Sequence, residues 1–464
     1  MLIRGLALLA ALSACAVAGG EKDNAETIAG TYTQAADRLI DAALSSNAGL
    51  DRLQYLCDRI GNRLSGSLAL VKAVEWSVDE MKGVGLQNVH MITTNVPRWI
   101  RGSESASLVE PLQKSLFMLG LGGSVATPRG GITAEIAVVS SFAELDKLGE
   151  RAVTGKIVVF DVPYVEYGET VIYRVSGASR AARLGAVGVL VRSITPHSLR
   201  DPHTGALNYE STEAKIPAAA ITVEDAIYLH RLVQSGQRVR VHLQMESHFE
   251  PDATSADVTG DIIGREKPDE VVVIGGHLDS WDVGQGAHDD GAGVMAALEA
   301  AALIKRLGIQ PRRTIRVVFW TNEENGGKGG LAYRSFVGRD VTKHVAAIEM
   351  DGGAEAPIGF DLALSPKPHG MHTAIWDNMQ EKASAIGGLL KRIDAGRVLP
   401  GEGEADIEPL MKDGVPGFGL RTVMTRYFDY HHTQADTFDK IVPDEFRRCT
   451  AAMAVMSYVL ADWP

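Results

Sequence analysis

Cysteine is scarce in this chain of 464 residues, which contains only three. Cys15 lies in an apolar leader, so Cys57 and Cys449 are the two in the remaining chain. Neither is a good nucleophile candidate. An exported protein can form a disulfide, but free cysteine also behaves as a small buried hydrophobe. The residues therefore leave open whether these two are paired or are separate buried thiols.

A basic block is also missing. Acidic residues outnumber basic ones by 58 to 46, which gives a net charge of −12 spread along the chain. Nucleic acid is therefore not an expected partner. The His-Glu-x-x-His helix of one class of zinc proteases and the Gly-x-Ser-x-Gly elbow of serine hydrolases are absent too, which sets the serine-hydrolase class aside.

No apolar run is long enough to span a bilayer. Residues 1–4 carry a positive charge and residues 5–18 are apolar, a pattern typical of a signal peptide over 1–18. Residues 12–15 resemble a bacterial lipobox, which predicts a lipid tether through Cys15, and residues 16–18 offer an ordinary cleavage site instead. We expect secretion across the inner membrane, to the periplasm or to a lipid anchor on the outer membrane.

The length favours two domains. Residues 111–248 form a self-contained series of strands such as Ile132–Val139 and Ala218–Ile221, whose His and Asp residues lack metal-like spacing. We interpret this segment as a structural or substrate-shaping insert. It divides a catalytic domain into parts 27–110 and 249–464, and residues 249–256 read as a linker.

Strands and helices alternate from Asp261 onward. The predicted elements are Val271–Ile274, Gly293–Leu307, Thr314–Trp320, Val345–Met350, Met371–Ile386 and Asp444–Leu460. This alternation predicts an α/β fold with a mostly parallel mixed sheet covered by helices on both faces. Ligands of such sheets collect beyond the carboxyl ends of the strands.

Side chains that can bind metals follow three of these strands, and a fourth group lies in one loop near the end of the chain. Any one alone would be a weak signal, but together they predict a metal site. Zinc favours His nitrogen and carboxylate oxygen, and one carboxylate can bridge two ions. The inventory fits His277 and Glu324 on one ion, Asp351 and His432 on the other, and Asp289 between them.

These blocks, together with residues 55–66, resemble the co-catalytic zinc exopeptidases of the aminopeptidase and glutamate-carboxypeptidase family. The resemblance implies the zinc-exopeptidase fold, a protease-associated domain for the insert, two Zn²⁺ ions and a peptide or dipeptide substrate cleaved by a metal-bound water. The family's metal ligands fall on the same five positions, namely His277, Asp289, Glu324, Asp351 and His432.

Three further residues are candidates for catalytic roles. Glu323 can act as general base, because adjacent side chains diverge and Glu324 is used as a ligand. Asp279 is expected to accept a hydrogen bond from the His277 ring. Some relatives have Tyr where this chain has His431, so the oxyanion donor stays open between His431, the neighbouring Tyr427 or Tyr430, and the metals alone.

Three alternatives compete with a two-metal peptidase. Residues 291–296 match a dinucleotide-binding glycine pattern, but they follow Ile274 too distantly, and Asp289 and Asp290 would repel a pyrophosphate. A non-catalytic binding protein of the same fold and a one-metal glutaminyl-cyclase-like acyl transferase are the others. The retained ligands and Glu323 favour an enzyme with two ions.

The sequence thus predicts a secreted di-zinc exopeptidase that cleaves next to a free terminus, as a dipeptidase, carboxypeptidase or aminopeptidase. Arg421 and Arg426 can pair a substrate carboxylate, although surface charges are the simpler interpretation. Asp282 and Asp290 are interpreted as loop-shaping residues. The residues do not distinguish a monomer from a homodimer.

Overall fold

The computed structural model describes residues 27–364 and 379–463, which excludes the predicted leader with Cys15 and the first part of the helix predicted from Met371. The strands are β1 Gln87–Ile100, β2 Glu104–Glu110, β3 Lys114–Leu116, β4 Met118–Gly120, β5 Ile132–Val139, β6 Ile157–Phe160, β7 Gly188–Arg192, β8 Ala218–Ile221, β9 Arg240–Met245, β10 His248–Ile262, β11 Lys267–His277, β12 Arg313–Trp320, β13 His344–Glu349, β14 Pro357–Ala363, β15 Arg397–Pro400 and β16 Gly417–Thr422. The helices are α1 27–44, α2 Ala48–Tyr55, α3 Leu68–Gly83, α4 Phe142–Leu148, α5 Glu150–Val153, α6 Tyr167–Thr170, α7 Ile172–Arg183, α8 Val223–Gln234, α9 Ala292–Arg306, α10 Lys328–Val337, α11 Met379–Leu389, α12 Glu408–Met411, α13 Tyr427–Tyr430 and α14 Pro443–Asp462. Within the described ranges, no helix has both the length and the apolar character needed to cross a bilayer.

The first sheet has eight strands in the order β1-β10-β12-β11-β13-β16-β14-β15. Its central strands β12, β11, β13 and β16 run parallel to one another. Strands β10 and β14 run antiparallel to this centre on its two sides. The prediction of a mostly parallel mixed sheet is confirmed, and the carboxyl ends of the four central strands meet at one edge.

Both faces of this sheet are covered. Along β11, Val272 and Ile274 belong to a core that also contains the buried sides of α9 and α14. Val271 and Val273 point to the opposite face, where they share a core with α10 and α12 residues. This alternation explains the continuous apolar run of the strand, because neither of its faces meets water.

The second sheet forms the insert, in the order β3-β2-β9-β5-β6-β7-β8-β4. Ile157 and Val159 of β6 face one core, and Val158 and Phe160 face another, so the insert has its own hydrophobic interior. Strand β2 (Glu104–Glu110), which precedes the predicted start of the insert at residue 111, also pairs with β9 in this sheet.

The linker predicted at residues 249–256 is instead part of β10, which pairs with β1 along the edge of the first sheet. Pro251 lies within this strand. It lies where the register between the two strands shifts, between the pairs Val96–Ala253 and Arg98–Glu250. Proline is tolerated at such an irregularity because no ladder hydrogen bond requires its missing N–H.

Cys57 and Cys449 are free, buried thiols. Burial raises the pKa of the Cys57 thiol to about 12, so this side chain stays protonated at neutral pH. The Cys449 thiol donates to the backbone carbonyl of Glu355, 3.2 Å away. The two cysteines therefore belong to the hydrophobic core as separate thiols, which is the second of the two possibilities left open by the sequence.

The glycines at the start of α9 are required for close packing. A Cβ added to Gly293 would lie 1.9 Å from the carbonyl oxygen of Met350 and 2.4 Å from a carboxylate oxygen of Asp290. Both contacts are far shorter than a carbon atom allows. The glycine pattern at residues 291–296 therefore allows α9 to pack closely against Met350, which follows β13, and against Asp290. This packing explains the glycines without a bound dinucleotide.

We expect Gly293→Ala to lower the free energy of unfolding by about 1–3 kcal/mol, because the new methyl group overpacks a rigid contact with backbone. Urea titration followed by circular dichroism measures this change. Gly388→Ala is the matched control, since Gly388 lies in α11 with no atom within 4 Å of an added Cβ. Equal stability of the two variants would contradict the packing argument.

Candidate metal centre

The five predicted metal ligands converge at the carboxyl edge of the first sheet. They come from the end of β11, the loops after β12, β13 and β16, and the turn before α9: His277, Glu324, Asp351, His432 and Asp289. Because β12, β11, β13 and β16 are neighbours and parallel, their loops open on the same side. Residues as far apart in sequence as Asp289 and His432 are thereby brought into direct contact.

Asp289 occupies the centre of the group. One of its carboxylate oxygens lies 3.2 Å from Nε2 of His277, and the other lies 3.2 Å from Nε2 of His432. Nε2 of His277 is also 3.1 Å from Asp351, and Nε2 of His432 is 3.1 Å from Glu324. The arrangement has two halves that share one carboxylate.

This pairing differs from the one inferred from sequence, which joined His277 with Glu324 and Asp351 with His432. A looser grouping, with ligand atoms within 4.8 Å, still places His277, Asp289 and Glu324 together. Two ligand atoms on one tetrahedral zinc, at bond lengths of about 2.0–2.1 Å, are about 3.3 Å apart. The contacts of 3.1 Å between His277 and Asp351 and between His432 and Glu324 match this spacing. The ends of adjacent strands β11 and β13 place His277 beside Asp351.

The donor set fits a divalent cation. Asp289 Oδ2 and Glu324 Oε1 are buried and accept no hydrogen bond, although buried carboxylate oxygens nearly always have a partner. Imidazole nitrogen and carboxylate oxygen are the donors that zinc prefers when no thiolate is present. A cation between them would satisfy the unpartnered oxygens.

The acids of the centre repel one another in a buried setting. Burial and neighbouring carboxylates raise the pKa of Glu323 to about 8 and that of Glu324 to about 7. Asp289 is the exception: burial favours its neutral form, but the neighbouring His277 and His432 rings hold its pKa well below the usual value. The centre therefore contains more acidic groups than its own imidazoles can compensate.

Asp279 does not orient His277 in the predicted way. The Nδ1 atom of His277 contacts the backbone carbonyl of Asp279 at 3.0 Å, whereas the carboxylate is 3.9 Å from that nitrogen. The carboxylate instead accepts the backbone N–H groups of Glu323, at 3.1 Å, and Glu324, at 3.4 Å. The Asp279 carboxylate therefore connects the β11 loop to the β12 loop, and its backbone carbonyl is the group that contacts the His277 ring.

Glu323 and Glu324 differ in their contacts. Glu324 is buried and contacts His432, whereas Glu323 is half-buried; both residues line a cavity of about 1180 Å³. The cavity lies between the two sheets, with Trp99, Phe249 and Leu207 among its apolar residues. Glu323 thus faces the space where a substrate can enter.

His431 lies at the edge of the centre. Its ring stacks on that of His432 with centroids 3.6 Å apart, and its Nε2 is 3.6 Å from Asp289. Burial lowers its pKa well below the usual value, and the charge of His432 adds to this effect. Of the tyrosines considered, Tyr427 donates its hydroxyl to the carbonyl of Asp351 at 3.2 Å, and Tyr430 stacks on His288.

Both arginines proposed for carboxylate binding are already paired. Arg421 contacts Asp361 at 2.6 Å and Glu404 at 2.7 Å. Arg426 contacts Glu355 at 3.3 Å and Glu445 at 2.5 Å. These ion pairs favour a structural role for each guanidinium, the simpler of the two interpretations of the sequence.

The two unassigned acids of the glycine-rich loop are structural. Asp290 accepts the backbone N–H groups of His277 at 3.1 Å and of Gly293 at 2.9 Å, which joins β11 to the start of α9. Asp282 forms a two-pronged contact with Arg101 at 2.6 and 2.8 Å. Each shapes the loop.

Sequence reasoning missed Arg63, which is completely buried. Its guanidinium donates to the backbone carbonyls of Gly61, Leu278, Gln285 and Gly286 at 2.6–3.1 Å. It holds the loop between His277 and Asp289 from inside. The sequence marks Arg63 only by its position within residues 55–66. Its hydrogen bonds go to backbone carbonyl groups, so the side chains of its partners show no pattern that could reveal them.

Asp436 was also missed, although it lies four residues after His432. It accepts the backbone N–H groups of His288 at 2.7 Å and Asp289 at 3.2 Å. Asp436 therefore fixes the main chain of the residue at the middle of the centre.

Comparison with known proteins identifies the class of protein. A model of peptidase family M28 matches residues 257–457. Carboxypeptidase Q of Xenopus laevis is 42% identical over 435 residues, covering 93% of this chain and 90% of that protein. Carboxypeptidase Q of Homo sapiens is 41% identical over 419 residues, covering 90% and 86%.

A solved structure agrees. The peptidase M28 precursor from Shewanella amazonensis is 34% identical, with a TM-score of 0.86, and the match covers 93% of this chain and 96% of that one. A zinc aminopeptidase from Bacillus subtilis shares the fold, with a TM-score of 0.65 at 18% identity over 89% and 96% of the chains. The fold and its donor cluster are those of a metallopeptidase.

The chain belongs to peptidase family M28. The resemblance found in the sequence is confirmed, and so is its similarity to plasma glutamate carboxypeptidase, which is another name for carboxypeptidase Q. Membership of a peptidase family supports an enzyme over the dinucleotide-binding and non-catalytic alternatives.

We expect Arg63→Met to reduce peptidase activity by about 10- to 100-fold, the effect typical of losing a residue that orients metal ligands. Four backbone carbonyls would lose a buried donor, so the melting temperature should fall as well. Arg59→Met is the control, because Arg59 is exposed four residues earlier. Full activity of Arg63→Met would exclude this positioning role.

In metal-free protein, we expect stability to decrease as the pH rises from about 5 to about 8. The raised pKa values of Glu324, about 7, and Glu323, about 8, mean that the folded chain binds more protons than the unfolded chain in this interval. Their stabilising contribution is complete below the usual carboxyl pKa of about 4.3 and is lost as the pH passes their folded values.

Urea unfolding of chelator-treated protein across this pH interval measures the effect. Zinc should weaken or reverse the trend, because a bound cation stabilises the deprotonated carboxylates. If the stability of chelator-treated protein increases with pH, the pKa values of these carboxyl groups are not raised in the folded chain.

Proposed function

We propose that this chain is a secreted di-zinc exopeptidase that hydrolyses the peptide bond next to a free terminus of a dipeptide or short peptide. The observation that carries the proposal is the placement of Asp289 between His277 and His432, at 3.2 Å from each ring. The similarity to carboxypeptidase Q supports peptides as substrates. The leader of the sequence supports secretion, with Cys15 as a lipid attachment point.

In this proposal, His277 and Asp351 hold one zinc ion, Glu324 and His432 hold the other, and Asp289 contacts both. Two ions are favoured over the one-metal acyl transferase because each half of the cluster has its own imidazole and its own carboxylate. When bound, zinc lowers the pKa of water and polarises the scissile carbonyl.

Glu323 is proposed to take the proton from the attacking water and to give it to the leaving amine. Its carboxylate has no hydrogen bond to another described side chain and lines the cavity. Asp279 holds its backbone N–H at 3.1 Å, which fixes the base beside the cluster. A base placed at the substrate side in this way contributes about 10²- to 10⁴-fold to rate.

For the oxyanion, we propose the Nε2 atom of His431 as donor. Tyr427 is less suitable, because its hydroxyl already donates to the carbonyl of Asp351. Tyr430 is engaged with His288. His431 alone of the three lies against the shared carboxylate, at 3.6 Å from Asp289.

The cavity beside Glu323 is proposed as the substrate-binding site. Its volume of about 1180 Å³ accommodates a short peptide, and Trp99 and Phe249 supply apolar surface. The insert contributes Gly122, Gly123 and Leu207 to its wall. This placement supports the interpretation of the insert as a substrate-shaping domain of the protease-associated type.

Glu323→Gln tests the mechanism. We expect kcat to fall by at least about 10²-fold while two zinc ions remain bound, because only the proton transfer is removed. Glu324→Gln is the contrasting variant, and it should lose one zinc ion as well as activity. Elemental analysis and a dipeptide assay measure both effects; wild-type rates from Glu323→Gln would refute its role.

A dipeptide library with free and blocked termini identifies which terminus is read. Products are followed by mass spectrometry with and without chelator. The proposal requires that chelator stops cleavage and that blocking at least one terminus does so too. Cleavage of doubly blocked peptides at the same rate would contradict an exopeptidase.

A further inference from the structure

The insert contacts the metal centre directly through Thr204. Its backbone N–H donates to the carbonyl of His432 at 3.0 Å. Its own carbonyl oxygen is 3.3 Å from Nδ1 of His432. Since Nε2 of that ring faces Glu324 and Asp289, Nδ1 carries the proton and donates to Thr204.

Arg174 of α7 fixes the Thr204 carbonyl. Its Nη1 donates to that oxygen at 3.3 Å and lies 3.4 Å from Nδ1 of His432, so guanidinium and imidazole converge on one acceptor. Its Nη2 donates to the hydroxyl of Tyr167 at 3.0 Å. Guanidinium and imidazole are thus held on the same atom of the insert.

Burial of the Arg174 side chain is energetically unfavourable. It is buried, its Nε atom has no hydrogen-bond partner, and none of the ion pairs of the described residues involves it. A buried cation without a carboxylate partner destabilises a fold unless nearby dipoles compensate for it. Its contacts with Thr204 and Tyr167 supply those dipoles at the point where the insert meets His432.

The backbone on both sides is shaped for this contact. Gly205 has φ of +135°, and a Cβ there would lie 2.3 Å from the guanidinium carbon of Arg174. His432 itself has φ of +61°, a left-handed conformation that is unfavourable for a residue with a side chain. Its hydrogen bonds with Thr204 hold the residue in this conformation.

We propose that the insert is a structural part of the metal centre, in which Arg174 acts as a positioning residue that fixes the Thr204 carbonyl and thereby orients His432. The inference rests on the proposed function, in which His432 binds one zinc ion. Because binding couplings are reciprocal, loading of that ion and docking of the insert must strengthen each other by the same factor.

Zinc titration of Arg174→Met by isothermal calorimetry tests the inference. We expect affinity for one of the two ions, the one held by Glu324 and His432, to weaken by about 10- to 100-fold, with the other ion unchanged. Gly205→Ala, which displaces the guanidinium, should give the same pattern. Arg183→Met is the matched control, since Arg183 lies on the same helix and forms its ion pairs with Glu210 and Glu213 of the insert.

Two further measurements separate positioning from general unfolding. The absorption spectrum of the cobalt-loaded enzyme should change in Arg174→Met at one site only. Zinc should slow hydrogen exchange at the Thr204 amide in the wild type, and less so in Arg174→Met. If Arg174→Met melts early in the absence of metal, Gly205→Ala takes its place in the same titration.

The outcomes distinguish the two proposals. A wild-type protein that binds no zinc would remove the proposed function itself. A wild type that binds two ions, combined with unchanged affinities and unchanged Thr204 exchange in Arg174→Met and Gly205→Ala, would overturn only the role of the insert. Equal weakening of both ions would also overturn it, because His432 belongs to one half of the centre.

Discussion

The constraint on which the rest of the structure depends is the neutralisation of several carboxylates buried at the ends of parallel strands. Asp289, Glu324 and Asp351 contact the imidazoles of His277 and His432, and two of their oxygens accept no hydrogen bond. A hydrophobic core cannot stabilise such a group, because desolvation of each charge costs several kcal/mol. A divalent cation can, and the strand order brings the donors of both halves together at one edge of the sheet.

The residues around the donors are held by backbone contacts more than by other side chains. Arg63 donates to carbonyl groups on the His277 side, Asp279 accepts amides of the β12 loop, and Asp436 accepts the amide of Asp289. Each contact fixes main chain, so a ligand side chain can be replaced while its supporting loop keeps its shape. Rigid loops limit the reorganisation required when ions bind.

Much of this was predictable from the sequence. Ile132–Val139 and Ala218–Ile221 match β5 and β8, and alternation of strands and helices gave the parallel centre. The ligand pairing was not predictable, because strand neighbours are a property of topology and lie far apart in the chain. The role of Arg63 was hidden for another reason: its acceptors are carbonyl groups, which every residue has. Strand β10 was obscured by Pro251, since a bulge has no signature distinct from a turn.

The pairing of β1 with β10 has a mechanical consequence. The chain leaves the first sheet after Ile100 and returns at His248, and these two residues are register partners. Both crossings to the insert thus occur at one end of one ribbon. Trp99 and Phe249 form the adjacent pair and line the cavity. The same ribbon end therefore borders the cleft at Glu323 and joins the insert that carries Thr204, so a rotation of the insert at this point would change substrate access and the contact with His432 together.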